Sequence, residues 1–146
     1  MLFLASDHAG FALKERLIAH LRKKGVAFKD LGTDSEESVD YPDFGFALGK
    51  EVAKSPQNKG IGICGTGMGM AMAANKIVGI RAAMVYSLET AKLGRQHNDA
   101  NVACFGGRTQ KPADVIKWVD AFLSEKADPA ERHHRRAEKV SAAKPR

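Results

Sequence analysis

Gly60-Ile61-Gly62-Ile63-Cys64-Gly65-Thr66-Gly67-Met68-Gly69 is the stretch on which the fold turns. Its first half is a short apolar run, read as a buried strand that ends at Cys64. A glycine-rich turn follows, and a helix is expected from about Met68 to Lys76. Glycines that alternate after a strand keep side chains away from the backbone, so successive N–H groups can converge on one concavity. Such a concavity holds an anion or a developing oxyanion. Cys64 and Thr66 place a thiol and a hydroxyl beside it. The pattern points to a small anionic substrate and to chemistry that creates negative charge on oxygen.

Outward from this stretch, strand and helix alternate along the chain. Leu2 to Ser6 reads as a first strand. Gly10 to Lys24 reads as a helix with Leu13, Leu17, Ile18 and Leu21 on one face, closed by Gly25. Val26 to Leu31 is a second, partly polar strand, and residues 32 to 43 read as a loop ending in Asp40-Tyr41-Pro42. Phe44 to Lys54 is helical until Ser55-Pro56-Gln57-Asn58 breaks it. Beyond the glycine turn come a strand from Ile80 to Tyr86, an N-cap at Ser87 and a helix from Leu88 to Gln96. A fifth strand spans Asn101 to Phe105 and is closed by Gly106-Gly107. A helix from Pro112 to Ser124 and a last helix from about 129 to 141 follow, with a frayed tail over 142–146. There is no internal repeat.

Five strands separated by helices imply an α/β fold, a parallel sheet covered on both faces. With 146 residues and 44% hydrophobic content, a single domain over 1–146 is expected. No apolar run reaches bilayer length and no signal peptide opens the chain, so neither a membrane nor export is expected. The two cysteines, Cys64 and Cys104, suit free thiols in a reducing cytoplasm. The net charge of +6 is largely a tail property. From Lys126 onward seven Lys/Arg stand against three acids, which leaves only +2 for the first 125 residues.

In parallel sheets, ligands sit outside the carboxyl ends of the strands. Asp7-His8 follows the first strand, Cys64-Gly65-Thr66 the third, Tyr86-Ser87 the fourth and Gly106-Gly107-Arg108 the fifth. Acid, imidazole, thiol, hydroxyl and guanidinium are thus expected on one edge, which argues for an enzyme.

Five motifs occur in order: Ser6-Asp7-His8-Ala9-Gly10-Phe11, Asp40-Tyr41-Pro42, Cys64-Gly65-Thr66-Gly67-Met68-Gly69, Ala73-Ala74-Asn75-Lys76 and Arg95-Gln96-His97-Asn98-Asp99. Together they resemble the B-type ribose-5-phosphate isomerases and the related galactose-6-phosphate isomerase subunits, over about residues 1 to 140. The resemblance implies a Rossmann-like α/β/α sandwich and a homodimer with sites at the subunit interface, the last helix packing on the partner. It also implies cofactor-free, metal-independent aldose–ketose isomerisation through an enediolate. Dimer and tetramer both stay open.

That chemistry requires a base, stabilisation of the enediolate oxygen and proton handling at O1 and O2. The resemblance places the base at Cys64, where turn N–H groups, a helix N-terminus and nearby cations would favour a thiolate. Some relatives lack this cysteine and carry a glutamate base six residues later. Here that position is Met70, which cannot take a proton. Gly65, Thr66, Gly67, Met68 and Gly69 would form the anion hole, with Thr66 relaying the O1/O2 protons. By resemblance, His97 opens the furanose ring and Asn98 orients the phosphate or sugar. Asp7 would hold sugar hydroxyls, His8 would contact substrate oxygen or phosphate, and Tyr41 would offer a substrate-side hydroxyl. Arg108, Arg132 and Arg136 match the phosphate-binding arginines. Arg132 and Arg136 lie one helical turn apart and share a face.

Other readings are weaker. The turn is G-x-G-x-G rather than a dinucleotide fingerprint, and Lys76 lacks the glycine of a Walker loop. His133-His134 alone is not a metal site, so no metal is expected. The basic tail has no interleaved aromatic platform for nucleic acid. A cysteine hydrolase using Cys64, His97 and Asn98 or Asp99 would reveal itself by an acyl-enzyme. Closer rivals are isomerases of a hexose 6-phosphate, allose 6-phosphate or galactose 6-phosphate. Pentose phosphate metabolism and breakdown of a rarer sugar both remain open.

Overall fold

A computed structural model describes residues 1–144 and places every strand in one parallel sheet of order β2-β1-β3-β5-β4. The strands are β1 (Leu2–Ser6), β2 (Phe28–Asp30), β3 (Lys59–Cys64), β4 (Ala82–Met84) and β5 (Val102–Gly106). The helices are α1 (Phe11–Lys23), α2 (Tyr41–Val52), α3 (Met68–Ala74), α4 (Leu88–Asn98), α5 (Pro112–Ser124) and α6 (Glu131–Ala142).

The inner strands β1 and β5 are buried throughout and β3 between them from Gly60 onward, as strands covered on both faces must be. Their side chains alternate between two cores, following the two-residue period of a strand. Leu4, Ile61, Ile63 and Phe105 face α1 and α5, meeting Leu17, Leu21, Val119 and Phe122. Phe3, Ala5, Cys64 and Cys104 face the other way, meeting Leu48, Val52, Met70 and Ala74 of α2 and α3. The result is the expected α/β/α sandwich.

Several boundaries differ from the sequence reading. The edge strands are three residues each rather than six or seven, because only one neighbour pairs with them. At β4, the Asn75 side chain takes the place of a further strand: its amide donates to Ala82 O at 2.9 Å and accepts from Ala82 N at 2.8 Å. This ends α3 at Ala74 and caps an edge that would otherwise invite pairing. Helix α2 starts at Tyr41 rather than Phe44, since Pro42 in the first turn suits a helix start. Helix α4 runs on to Asn98, two residues past its expected end, and stops where Asp99 adopts φ 44°. Helix α6 closes at Ala142. Of the expected frayed tail, 145 and 146 lie outside the described residues.

The sheet reverses its winding between β1 and β3, which are neighbours although β2 intervenes in sequence. That switch point opens a crevice outside the carboxyl ends of the strands. Ser6 and Cys64 end the two strands that form it.

Candidate active site

Cys64 closes β3 with only 4% of its surface exposed. The chain then turns so that the Gly67 N–H donates to Cys64 Sγ at 3.1 Å. Only a glycine suits that turn: Gly67 has φ 83°, and an added Cβ would stand 2.8 Å from Met84 Sδ and 2.9 Å from the Phe105 carbonyl carbon. Thr66 is exposed, and its Oγ1 accepts from the Met68 N–H at 3.3 Å. Its hydroxyl proton is therefore free to donate. Helix α3 is only seven residues long, so the direct N–H bond to sulfur matters more than any helix dipole.

The second thiol differs in kind. Cys104 is fully buried behind the turn, and burial pushes its thiol up, so it stays protonated at neutral pH.

Three turns meet around Cys64. The Gly107 N–H donates to Cys64 O at 2.8 Å and the Arg108 N–H to Gly65 O at 3.0 Å, which ties the end of β5 to the glycine turn. A Cβ on Gly65 would lie 3.7 Å from both Ala9 Cβ and Arg108 Nη1, so the guanidinium and the turn after β1 flank this residue. Among the described residues Arg108 has no ion-pair partner, so its charge remains available to an anion. Asp7 is buried, and its Oδ1 accepts from the N–H groups of Ala9 and Gly10 at 2.9 and 3.0 Å, pinning the start of α1. The N–H and the carbonyl oxygen of Val39 lie 3.1 and 3.2 Å from His8 Nδ1, which fixes the ring against the 32–40 segment and leaves Nε2 without a protein partner among the described residues. The Tyr41 ring lies on the backbone of Gly69, where any Cβ would approach it to 2.7 Å. Tyr86 and Ser87 also reach this edge. Ser87 caps α4 by accepting from the Thr90 N–H at 3.0 Å, and Tyr86 lines a cleft with Thr66, Met68 and Met84. Asp7, His8, Tyr41, Cys64, the 65–69 turn and Arg108 are thus brought together.

His97, Asn98, Arg132 and Arg136 are elsewhere. Helix α4 starts beside the carboxyl ends of the strands and runs back about 16 Å at 1.5 Å per residue. His97 and Asn98 therefore sit at the amino edge, where Arg81 Nε donates to the carbonyls of Asn98 and Asp99. The exposed His97 ring stacks on His133 of α6, with centroids 4.3 Å apart and planes 5° from parallel. Arg132 and Arg136 flank His133 on the same helix and are exposed. One chain thus carries two separate groups of candidate residues, at opposite edges of its sheet.

Sequence reasoning missed three residues here. Asn75 entered only as part of a motif, although it is the group that closes the β4 edge. Lys14 is wholly buried, its Nζ donating to Asp30 at 2.6 and 2.7 Å. Its position on the stripe of Ile18 and Leu21 was a readable sign. His133 was weighed only as a metal ligand with His134. Among the described residues no three His, Cys, Asp or Glu side chains cluster as a metal site, and no helix is long and apolar enough to cross a membrane. Arg81 binds Asp99 Oδ2 at 3.1 Å and Ser141 Oγ at 2.6 Å.

The family model described as Ribose/Galactose Isomerase matches residues 2–140, and the chain belongs to that family. Ribose-5-phosphate isomerase B of Escherichia coli is 42% identical, the match covering 96% of this chain and 93% of the relative. The crystal structure of a ribose 5-phosphate isomerase from Thermotoga maritima superposes with a TM-score of 0.93 at 42% identity, over 97% of each chain. Ribose-5-phosphate isomerase B from Mycoplasma genitalium, solved with bound ribulose-5-phosphate, has a TM-score of 0.90 and 44% identity. That match covers 95% of this chain and 92% of the other.

Proposed function

We propose that this chain interconverts ribose 5-phosphate and ribulose 5-phosphate, with Cys64 as the base. The observation that carries this reading is the Gly67 N–H on the Cys64 sulfur, at the mouth of a crevice where the Arg108 guanidinium flanks Gly65. The thiolate takes the proton from C2 of the open-chain aldose. The electron pair moves into a C1–C2 double bond and leaves negative charge on O1, where the N–H groups of the 65–69 turn meet it. Thr66 passes the O2 proton to O1, and the Cys64 thiol returns its proton to C1, which gives the ketose. Arg108 draws the phosphate to the crevice, Asp7 and Tyr41 meet sugar hydroxyls, and His8 Nε2 meets a substrate oxygen.

Ring opening and the rest of the phosphate site call for a second copy. His97, Asn98, Arg132 and Arg136 lie an edge away from Cys64 in their own chain, so they serve the crevice of a two-fold partner. Met68, Met72, Tyr86 and Leu88, each about half exposed or more, flank the β4 edge and offer apolar surface for that association. The active unit is a homodimer in the cytoplasm, where the thiol stays reduced.

The test is turnover of ribose 5-phosphate by purified protein in EDTA, with Cys64→Ala alongside. Wild-type turnover lost in the variant supports the reading. An inactive wild type that converts allose 6-phosphate or galactose 6-phosphate instead would replace the pentose by a hexose phosphate.

A further inference from the structure

The His97–His133 stack joins two helices through two imidazoles that lie nearly parallel at 4.3 Å. The partners differ in environment. His97 is exposed, whereas His133 is 9% exposed and its Nε2 is buried with no hydrogen-bond partner among the described residues. A proton added to that nitrogen would create a cation with nothing to accept from it. The groups facing the ring disfavour charge as well. His97 approaches from α4, Arg132 and Arg136 from its own helix, and only Asp128, from the segment before α6, favours the cation. Desolvation first, and then these cations, hold His133 below the ordinary histidine range.

We propose that His133 is a positioning residue for His97: a neutral, buried plate that fixes the plane of the neighbouring ring and leaves that ring to carry the proton. The proposal rests on the reading of His97 as the group that opens the furanose. Opening breaks the C1–O4 bond as O4 gains a proton and the O1 hydroxyl loses one, which generates the C1 aldehyde. A ring that swings freely on an exposed helix end meets that geometry rarely, and misplacement by an ångström is costly. Two stacked imidazoles also cannot both be charged cheaply, so a neutral His133 keeps the pair to one proton.

Ribulose 5-phosphate provides a probe that needs no ring chemistry, because its O5 is esterified and it cannot close to a furanose. Exchange of its C1 hydrogen for solvent deuterium reports enediolate formation alone. His133→Ala is expected to lower ribose 5-phosphate turnover about tenfold while C1 exchange stays near the wild-type rate. His133→Phe, which restores a flat neutral plate without a buried unpaired nitrogen, is expected to recover most of the turnover. It should also extend activity further below about pH 6.5, the ordinary histidine value, because no second cation can form. His97→Asn serves as the reference and should show the same split. If His97→Asn shows the split and His133→Ala does not, the positioning role is wrong while the reading of His97 stands. If His97→Asn loses both rates equally, the reading of His97 itself falls. Equal losses in His133→Phe and His133→Ala would overturn the plate and point to proton transfer by His133.

Discussion

The Gly67 N–H points at the Cys64 sulfur from 3.1 Å, across a turn that only a left-handed residue can complete. This pairing fixes the sulfur beside the N–H groups proposed to receive the enediolate oxygen.

Cys64→Ala tests the first half of that relationship. Turnover should fall about 10³-fold, the range of a lost general base, with little change in thermal stability, since one small buried group is trimmed. Steady-state kinetics and calorimetry on the same preparation check both parts, and ribulose 5-phosphate should still bind in a titration.

Gly67→Ala tests the second half. The new Cβ meets Met84 and the backbone of Phe105 below 3.0 Å, at a φ of 83°. Strain of about 3 kcal/mol is expected, measured by urea unfolding, together with a loss of turnover as the N–H moves off the sulfur.

Much of this was legible beforehand. The boundaries of β1 and α5 follow from unbroken apolar runs and from Pro112 at a helix start. The glycine turn marked an anion-holding concavity beside Cys64, at the carboxyl ends of the strands. The separation of His97 from Cys64 was harder to see. A helix after a parallel strand must run back across the sheet, so a residue at its far end belongs to the opposite edge. That inference needs the helix length, and α4 proved two residues longer than expected. Lys14 and His133 escaped because their residue types argue for exposure, and only tertiary packing buries them. Tyr41-Pro42 read as the end of a polar loop over 32–43, while here Pro42 stands in the first turn of α2.

The Lys14–Asp30 pair offers a stability test away from the crevice. Asp30 also accepts the Gly32 N–H at 2.9 Å, at the start of the segment that carries Val39 to His8. Asp30→Ala leaves the buried ammonium only the longer contact to Glu15, at 3.8 Å, and should cost about 3 kcal/mol. Lys14→Met removes the charge with its stem retained and should cost less. Chemical denaturation of the two variants checks this order.

Acid should loosen the clasp between α1 and α5. Burial alone would raise the carboxyl of Asp120, but hydrogen bonds from His20 and Lys24 outweigh it and hold the group below its ordinary value. A lowered folded value means that the unfolded chain binds protons first. The stabilisation is therefore complete above about pH 4 and is lost as pH falls further. Asp120→Asn should flatten that part of the stability profile, read from melting temperatures over an acid series.

Subunit mixing distinguishes the proposed composite sites across a two-fold axis from sites complete within one chain. Homodimers of Cys64→Ala and of His97→Asn should each turn over ribose 5-phosphate poorly. A mixed dimer concentrates both lesions in one site and leaves the other intact. Random reassortment should then restore about a quarter of wild-type activity. A mixture that stays at the average of its parents after exchange would contradict the account.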